Sequence, residues 1–189
     1  MSTPDPRFFG YGSLVNLATH AYHNPRPAQL AGWRRVWRHS TLRDVAFLSV
    51  ERCAQGTVID GIIADVPNAD WAALDEREFA YLRRIVTDAV AHDGPPAETA
   101  VYEVDGGVLA PPTTAHPILL SYLDVVVQGF LGVFGPDGAT RFFATTHGWD
   151  APILNDRAAP RYPRAQTLSP EETATVDAAL SRLRATVIN

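Results

Sequence analysis

Apolar residues gather in short runs through the first two thirds of the chain and fall at helical spacing later. Residues 8–11 read as a buried strand. Ser13 is placed to cap a short helix through Leu17 and Ala21, ending near Asn24-Pro25. Residues 29–38 and 44–50, rich in Trp, Val, Leu and Phe, read as strands. Residues 58–66 form another, in which Gly61 marks a bulge or a close backbone approach. Asn68 is then expected to cap a helix from about Ala69, with Trp71 and Leu74 on its apolar face. Residues 81–90 turn β-like again, 92–97 make a turn, and 99–104 return as a strand. Those two strands are expected to pair as a hairpin. After a proline-rich loop at 110–117, Leu119, Tyr122, Leu123, Val126, Val127 and Phe130 recur at helical spacing, with Asp124 and Gln128 off the stripe. Residues 149–164 look irregular, and the stretch 145–164 is expected to shape one end of a pocket, as irregular loops often do. Ser169-Pro170-Glu171-Glu172 opens a last helix with a cap residue, Pro at the first position and Glu at the third, running to about Thr186.

Strands early, helices late and no strict alternation argue for an α+β fold. Neither an internal repeat nor a long linker appears, so residues 1–189 are expected to form a single domain. With 189 residues, 46% hydrophobic, such a domain has enough apolar side chains for a sizeable core.

Charge narrows the function. The formal net charge is −5, from 16 basic and 21 acidic residues, so the basic excess of a nucleic-acid binder is absent. Cys53 is the only cysteine, which excludes an internal disulfide and a thiolate metal cluster and suits a reducing cytoplasm. Residues 1–7 lack an apolar signal core. The greasiest stretch, 118–134, is interrupted by Ser121, Asp124 and Gln128 and is too short and polar to span a membrane.

Two segments carry candidate chemistry. Glu78 lies seven positions after Trp71 and is therefore nearly aligned with it on a helix, facing the core, while Glu76 points to solvent. Burial and a helix C-terminus both disfavour an ionised carboxylate, the condition that suits a general acid–base at neutral pH. The plainer alternatives are that Glu78 pairs with Arg77, Arg83 or Arg84, or that the helix ends before it. In Tyr11-Gly12-Ser13-Leu14, the glycines at 10 and 12 let successive N–H groups converge on an anion. A simple strand-to-helix corner is the alternative. The segment has neither the lysine of a phosphate loop nor the Gly-x-Ser-x-Gly of a nucleophile elbow, so Ser13 is not read as a nucleophile. His20 and His23 lack a third ligand, and no metal site is expected. His147 falls in a loop-like context, where a surface or structural role is expected and a pocket-lining one is the alternative. Tyr122, on an apolar face, needs a hydroxyl partner there.

Phe9-Gly10-Tyr11-Gly12-Ser13-Leu14 resembles the Tyr-Gly-Ser signature of the γ-glutamylcyclotransferase superfamily, in its ChaC-like or AIG2-like branch. The run 61–66, then Leu74-Asp75-Glu76-Arg77-Glu78 and Tyr81, is similar to the family's strand-then-helix segment, and Ser121-Tyr122-Leu123-Asp124 to its later helix. The resemblance implies a small mixed β-barrel flanked by helices. It also implies release of 5-oxoproline from a γ-glutamyl amino acid, peptide or amine, with no cofactor and no metal. Glu78 matches the catalytic glutamate. Tyr11, Gly12, Ser13 and Leu14 match the loop that holds the glutamyl group, and Tyr122 a pocket-lining tyrosine. Val15-Asn16 and Phe79-Ala80 depart from the ChaC-like pattern and point away from the glutathione-specific branch. The implied partner is a small-molecule γ-glutamyl substrate, with no nucleic acid and no membrane, and the implied location is cytoplasmic. Two other classes compete: a ligand-binding or regulatory module of the same fold, and an interaction domain that uses residues 118–134 as a contact helix.

Overall fold

A computed structural model describes residues 4–40, 44–53, 56–78, 81–104 and 110–189. The chain opens with β1 (Arg7–Gly10), two 3-10 turns (Ser13–Val15 and Leu17–Thr19), β2 (His23–Ala31), β3 (Trp33–Arg38), β4 (Phe47–Arg52) and β5 (Val58–Asp65). After them come α1 (Ala72–Arg77), β6 (Tyr81–Ile85), β7 (Val90–Ala91), β8 (Thr99–Val104), β9 (Ile118–Leu119) and α2 (Leu120–Ala144). The remainder is β10 (Thr146–His147), β11 (Ile153–Leu154), α3 (Pro170–Leu183) and β12 (Val187–Ile188).

The largest sheet runs β6-β8-β1-β5-β2-β7 and curls into a half-barrel, giving a mixed α+β fold with helices against it. β1 lies inside this sheet, antiparallel to β5 and parallel to β8. That position explains its unbroken burial, because a strand covered on both faces needs no alternation. The expected hairpin forms: Tyr81 pairs with Val104 and Ile85 with Ala100. The expected strand over 81–90 breaks, however, at a 3-10 turn (Thr87–Ala89), and β7 leaves to pair with β2. A second sheet, β10-β3-β4, joins the curl where the Val104 N–H donates to Ser49 Oγ at 3.1 Å. Gly61 marks a close approach: a Cβ there would collide with the Gly10 carbonyl and the Phe9 ring.

Three local expectations are corrected. Ser13 caps no helix through Ala21. Asn16 intervenes, its Nδ2 donating to the Val125 carbonyl at 2.9 Å and its Oδ1 capping the second 3-10 turn. α2 packs so closely there that a Cβ on Gly129 would meet the Asn16 backbone nitrogen at 2.5 Å. Asn68 caps nothing either. It sits at φ 56°, and Asp70 Oδ1 accepts the Ala72 N–H at the start of α1 instead. Asp124 is buried rather than off the stripe, bonded by both oxygens to Arg157 at 2.7 Å.

α2 is longer than the periodic stretch suggested. It kinks at Gly135 (φ 68°), and Pro136 restarts it. Leu123, Val126, Val127 and Phe130 have no solvent exposure. The apolar stripe of 118–130 is therefore packed in the core, which removes the reading of that stripe as a contact surface. No helix among the described residues is long and apolar enough to cross a membrane. α3 carries the full expected capping box between Ser169 and Glu172.

Candidate active site

The half-barrel, the 3-10 turn after β1, the end of α1 and the first turn of α2 enclose a cleft with two lobes. The larger lobe, about 100 Å³, is lined by Ser13, Ala46, Arg77, Glu78, Tyr122 and Tyr162 among others. The smaller, about 30 Å³, lies against Tyr11, Gly12, Ser13 and Leu14. Ser13, Glu78, Tyr81 and Tyr122 line both. Every residue expected in the site therefore borders this one cleft.

Glu78 reaches it by a route other than the one expected. α1 ends at Arg77, and Glu78 is the first residue beyond it, at φ −92° and ψ 32°. Its N–H donates to the Leu74 carbonyl, and its own carbonyl accepts the Tyr81 N–H, both at 2.9 Å. The backbone is thus held on both sides of a corner. The carboxylate meets the cleft rather than the core, and its side chain keeps 18% exposure. Arg77 Nε lies 3.3 Å from Glu78 Oε1, so one of the pairing alternatives also holds. Arg83 and Arg84 are occupied elsewhere, by Asp75 at 2.8 Å and Glu103 at 2.6 Å.

Arg77 belongs to the site in its own right. It donates to the Thr19 carbonyl at 3.0 Å and from its other terminal nitrogen to Ser13 Oγ at 3.4 Å. It therefore ties the turn after β1 to the end of α1. On the opposite side the Tyr11 hydroxyl donates to the Tyr102 carbonyl at 2.7 Å, which removes that side chain from direct ligand contact. The Tyr81 hydroxyl donates to the Leu48 carbonyl at 2.9 Å.

Gly12 is required by contact. A Cβ at that position would stand 2.7 Å from the Tyr122 hydroxyl oxygen. The Tyr122 ring packs edge-on against Trp37 and Tyr162, at 5.9 and 5.0 Å between centroids. Burial pushes both the Tyr11 and Tyr122 phenols well up, and the nearby Glu78 charge adds to each, so both remain protonated donors.

Residues 149–164 supply one wall, as irregular segments often do. Tyr162 and Arg164 project to the larger lobe. The irregular stretch is expected from the sequence to shape the pocket, but no periodic signal marks these two residues. His20 and His23 do not come together on a helix: His20 Nε2 meets the Leu14 carbonyl at 2.8 Å, and His23 begins β2. His147 is exposed on β10. Among the described residues no group of three or more His, Cys, Asp or Glu is arranged to hold a metal. Among the described residues the cleft thus presents the Glu78 carboxylate, the Arg77 and Arg164 guanidiniums and several phenols around a glycine-bearing turn, a set suited to proton transfer beside an anion-binding backbone.

Comparison with known proteins bears on the fold and the family. None of the curated proteins matches the chain. Among solved structures, a γ-glutamyl cyclotransferase is similar with a TM-score of 0.56 at 16% identity, over 91% of this chain and 98% of that one. An uncharacterised protein from Homo sapiens gives 0.56 at 15% identity, over 90% and 97%. YkqA from Bacillus subtilis gives 0.52 at 19%, over 72% of this chain and 52% of its own. At such identities these likenesses speak for the fold. The sequence model of the γ-glutamyl cyclotransferase, AIG2-like family matches residues 8–121, more than half of the chain, and the chain belongs to that family.

Proposed function

We propose that the chain releases 5-oxoproline from a γ-glutamyl amino acid, peptide or amine by intramolecular aminolysis. The substrate's α-amine attacks its own γ-carbonyl carbon, a C–N bond closes the five-membered ring, and the amide bond to the leaving amine breaks. Glu78 takes the proton from the α-ammonium and returns one to the departing nitrogen, so atoms balance without a co-reactant. The backbone from Tyr11 to Leu14 holds the glutamyl group, and Tyr122 closes over it.

The observation that carries this reading is the shared border of the two lobes. Glu78 faces the same space as the glycine-bearing turn and Tyr122. Proton transfer by a positioned carboxylate contributes about 10²–10⁴-fold, and donors aimed at the developing oxyanion about 10²–10³-fold more. Holding amine and carbonyl together lowers the barrier further.

The Arg77–Glu78 contact at 3.3 Å favours a second reading. An ion-paired carboxylate is well placed to hold a substrate ammonium without turning it over, as a ligand-binding or regulatory module would. The deciding experiment measures 5-oxoproline from glutathione, γ-glutamyl amino acids and γ-glutamyl amines, with wild type and Glu78→Gln. Release by the wild type that disappears in a folded Glu78→Gln supports the enzyme. Full activity in that variant overturns the role of Glu78, and binding without release by the wild type supports the module.

A further inference from the structure

Arg77 and Arg164 border the larger lobe of the cleft and also a second, open groove of about 430 Å³. Thr19, His20, Ala21, Tyr22, Pro67 and Ala73 also line that groove, and among the described residues no carboxylate does. The two guanidiniums thus border both the cleft and the groove beside it.

They are presented differently. Arg77 is held in the wall by Thr19, Ser13 and Glu78. The Arg164 side chain is exposed and makes no ion pair among the described residues. Its backbone, however, is well anchored. The Ala165 N–H donates to the Tyr162 carbonyl at 3.1 Å, the Tyr162 N–H to Ser121 Oγ at 3.3 Å, and the Arg161 N–H to Asp156 Oδ2 at 2.9 Å. Its charge is felt at Tyr22, across the groove. Asp70 is also felt there, but one of its oxygens is committed to the Ala72 N–H.

We infer that this groove is the leaving-group subsite and that it takes an amine bearing a carboxylate, such as an amino acid or a short peptide. This rests on the proposed reaction. With Glu78 turned to the reacting atoms and Arg77 held in the wall, Arg164 is, among the described residues that line the groove, the charge left to meet an anion on the departing half. A guanidinium is suited to grip a carboxylate with paired donors. The same charge disfavours a cationic leaving amine.

The test compares γ-glutamylalanine with γ-glutamylalaninamide, which has the same shape without the carboxylate. The readout is kcat/KM where 5-oxoproline forms and Kd where it does not. The carboxylate compound is expected to be favoured roughly three- to tenfold at low salt, as for a partly exposed ion pair, with the gap shrinking at high salt. Arg164→Gln brings the two compounds to within about twofold of each other. Equal treatment of the two by the wild type, a gap that survives in Arg164→Gln, or no binding of either compound overturns the inference. A preference in Kd with no 5-oxoproline keeps the subsite and removes the reaction. Turnover without preference does the reverse.

Discussion

Arg35, with no solvent exposure, donates from Nε to the carbonyl of Tyr11 at 2.9 Å. The same guanidinium donates to the Asp60 carbonyl and, at 3.0 Å, to Thr145 Oγ1. It lies over the rings of Phe130 and Phe142, at 4.9 and 5.3 Å. Burial pushes it down to about 9, against the attraction of Asp60, so it stays charged at neutral pH. One buried cation therefore joins the turn after β1 to β5 and to the end of α2.

Arg35→Met is expected to lower unfolding free energy by about 2–5 kcal/mol in urea titrations, because two buried carbonyls lose their donor. Arg35→Lys recovers only part of this, since an ammonium lacks the forked geometry. A loss below about 0.5 kcal/mol in Arg35→Met would remove this tie from the account.

Gly12→Ala should leave the protein folded but displace the Tyr122 hydroxyl, at a cost of about 1–3 kcal/mol. Adding Tyr122→Phe removes the colliding oxygen and should return much of the lost melting temperature. If the double variant melts no higher than Gly12→Ala alone, the clash lies elsewhere.

His20 gives a pH dependence with a definite sign. Burial is the main cause that holds its pKa below 6.5; Arg77 lowers it too, while the bond to the Leu14 carbonyl raises it. The unfolded chain therefore takes up a proton near pH 6.5 that the folded chain still refuses. Stability contributed by neutral His20 is present above 6.5 and is lost as pH falls from there toward the folded value. Melting temperature followed from pH 7.5 to 5.5 should drop less steeply in His20→Gln than in the wild type. Parallel curves would contradict this.

Asp156 accepts three donors: the Ser121 N–H at 2.8 Å, Ser121 Oγ at 2.6 Å and the Arg161 N–H. It thereby caps α2 from outside the helix and fixes the segment that carries Tyr162 and Arg164. Asp156→Ala is expected to cost about 2–4 kcal/mol and to speed hydrogen exchange at the Arg161 and Tyr162 amides by at least about tenfold. Unchanged exchange there would show that the segment is held by other contacts.

Signals confined to a few neighbouring residues were legible in the sequence. The apolar run of β1, the Val-Ile stretch of β5 and the Ser169 capping box all settle their own backbone. Glu78 and Ser13 border the cleft by other geometry than their local patterns predicted, because α1 ends before Glu78 and Ser13 opens a 3-10 turn rather than a helix. What escaped depends on contacts between distant segments. Asn16 is drawn out of a helix by a carbonyl of α2. Asp124 reads as polar and outward until Arg157 arrives to neutralise it. The second half of α2, after the break at Gly135, lies beyond the periodic stretch, and its Phe142 and Phe143 are buried. Tyr162 and Arg164 enter the cleft because Asp156 and Ser121 hold their loop, which no pattern around residue 162 announces.

The small all-parallel sheet of β9, β11 and β12 carries a consequence for how the cleft comes into being. Ile153 pairs with both Ile118 and Val187, and Leu154 with Leu119 and Ile188. Leu119 lines the larger lobe and leads directly into α2. On a chain emerging from the ribosome, the half-barrel can close early, but the strand beside Leu119 gains its outer neighbour only when residues 187–188 have appeared. Contacts of such long range form late. The cleft is therefore completed late, and before Val187 and Ile188 join β11 it would hold Glu78 and its turn with one wall still unlocked.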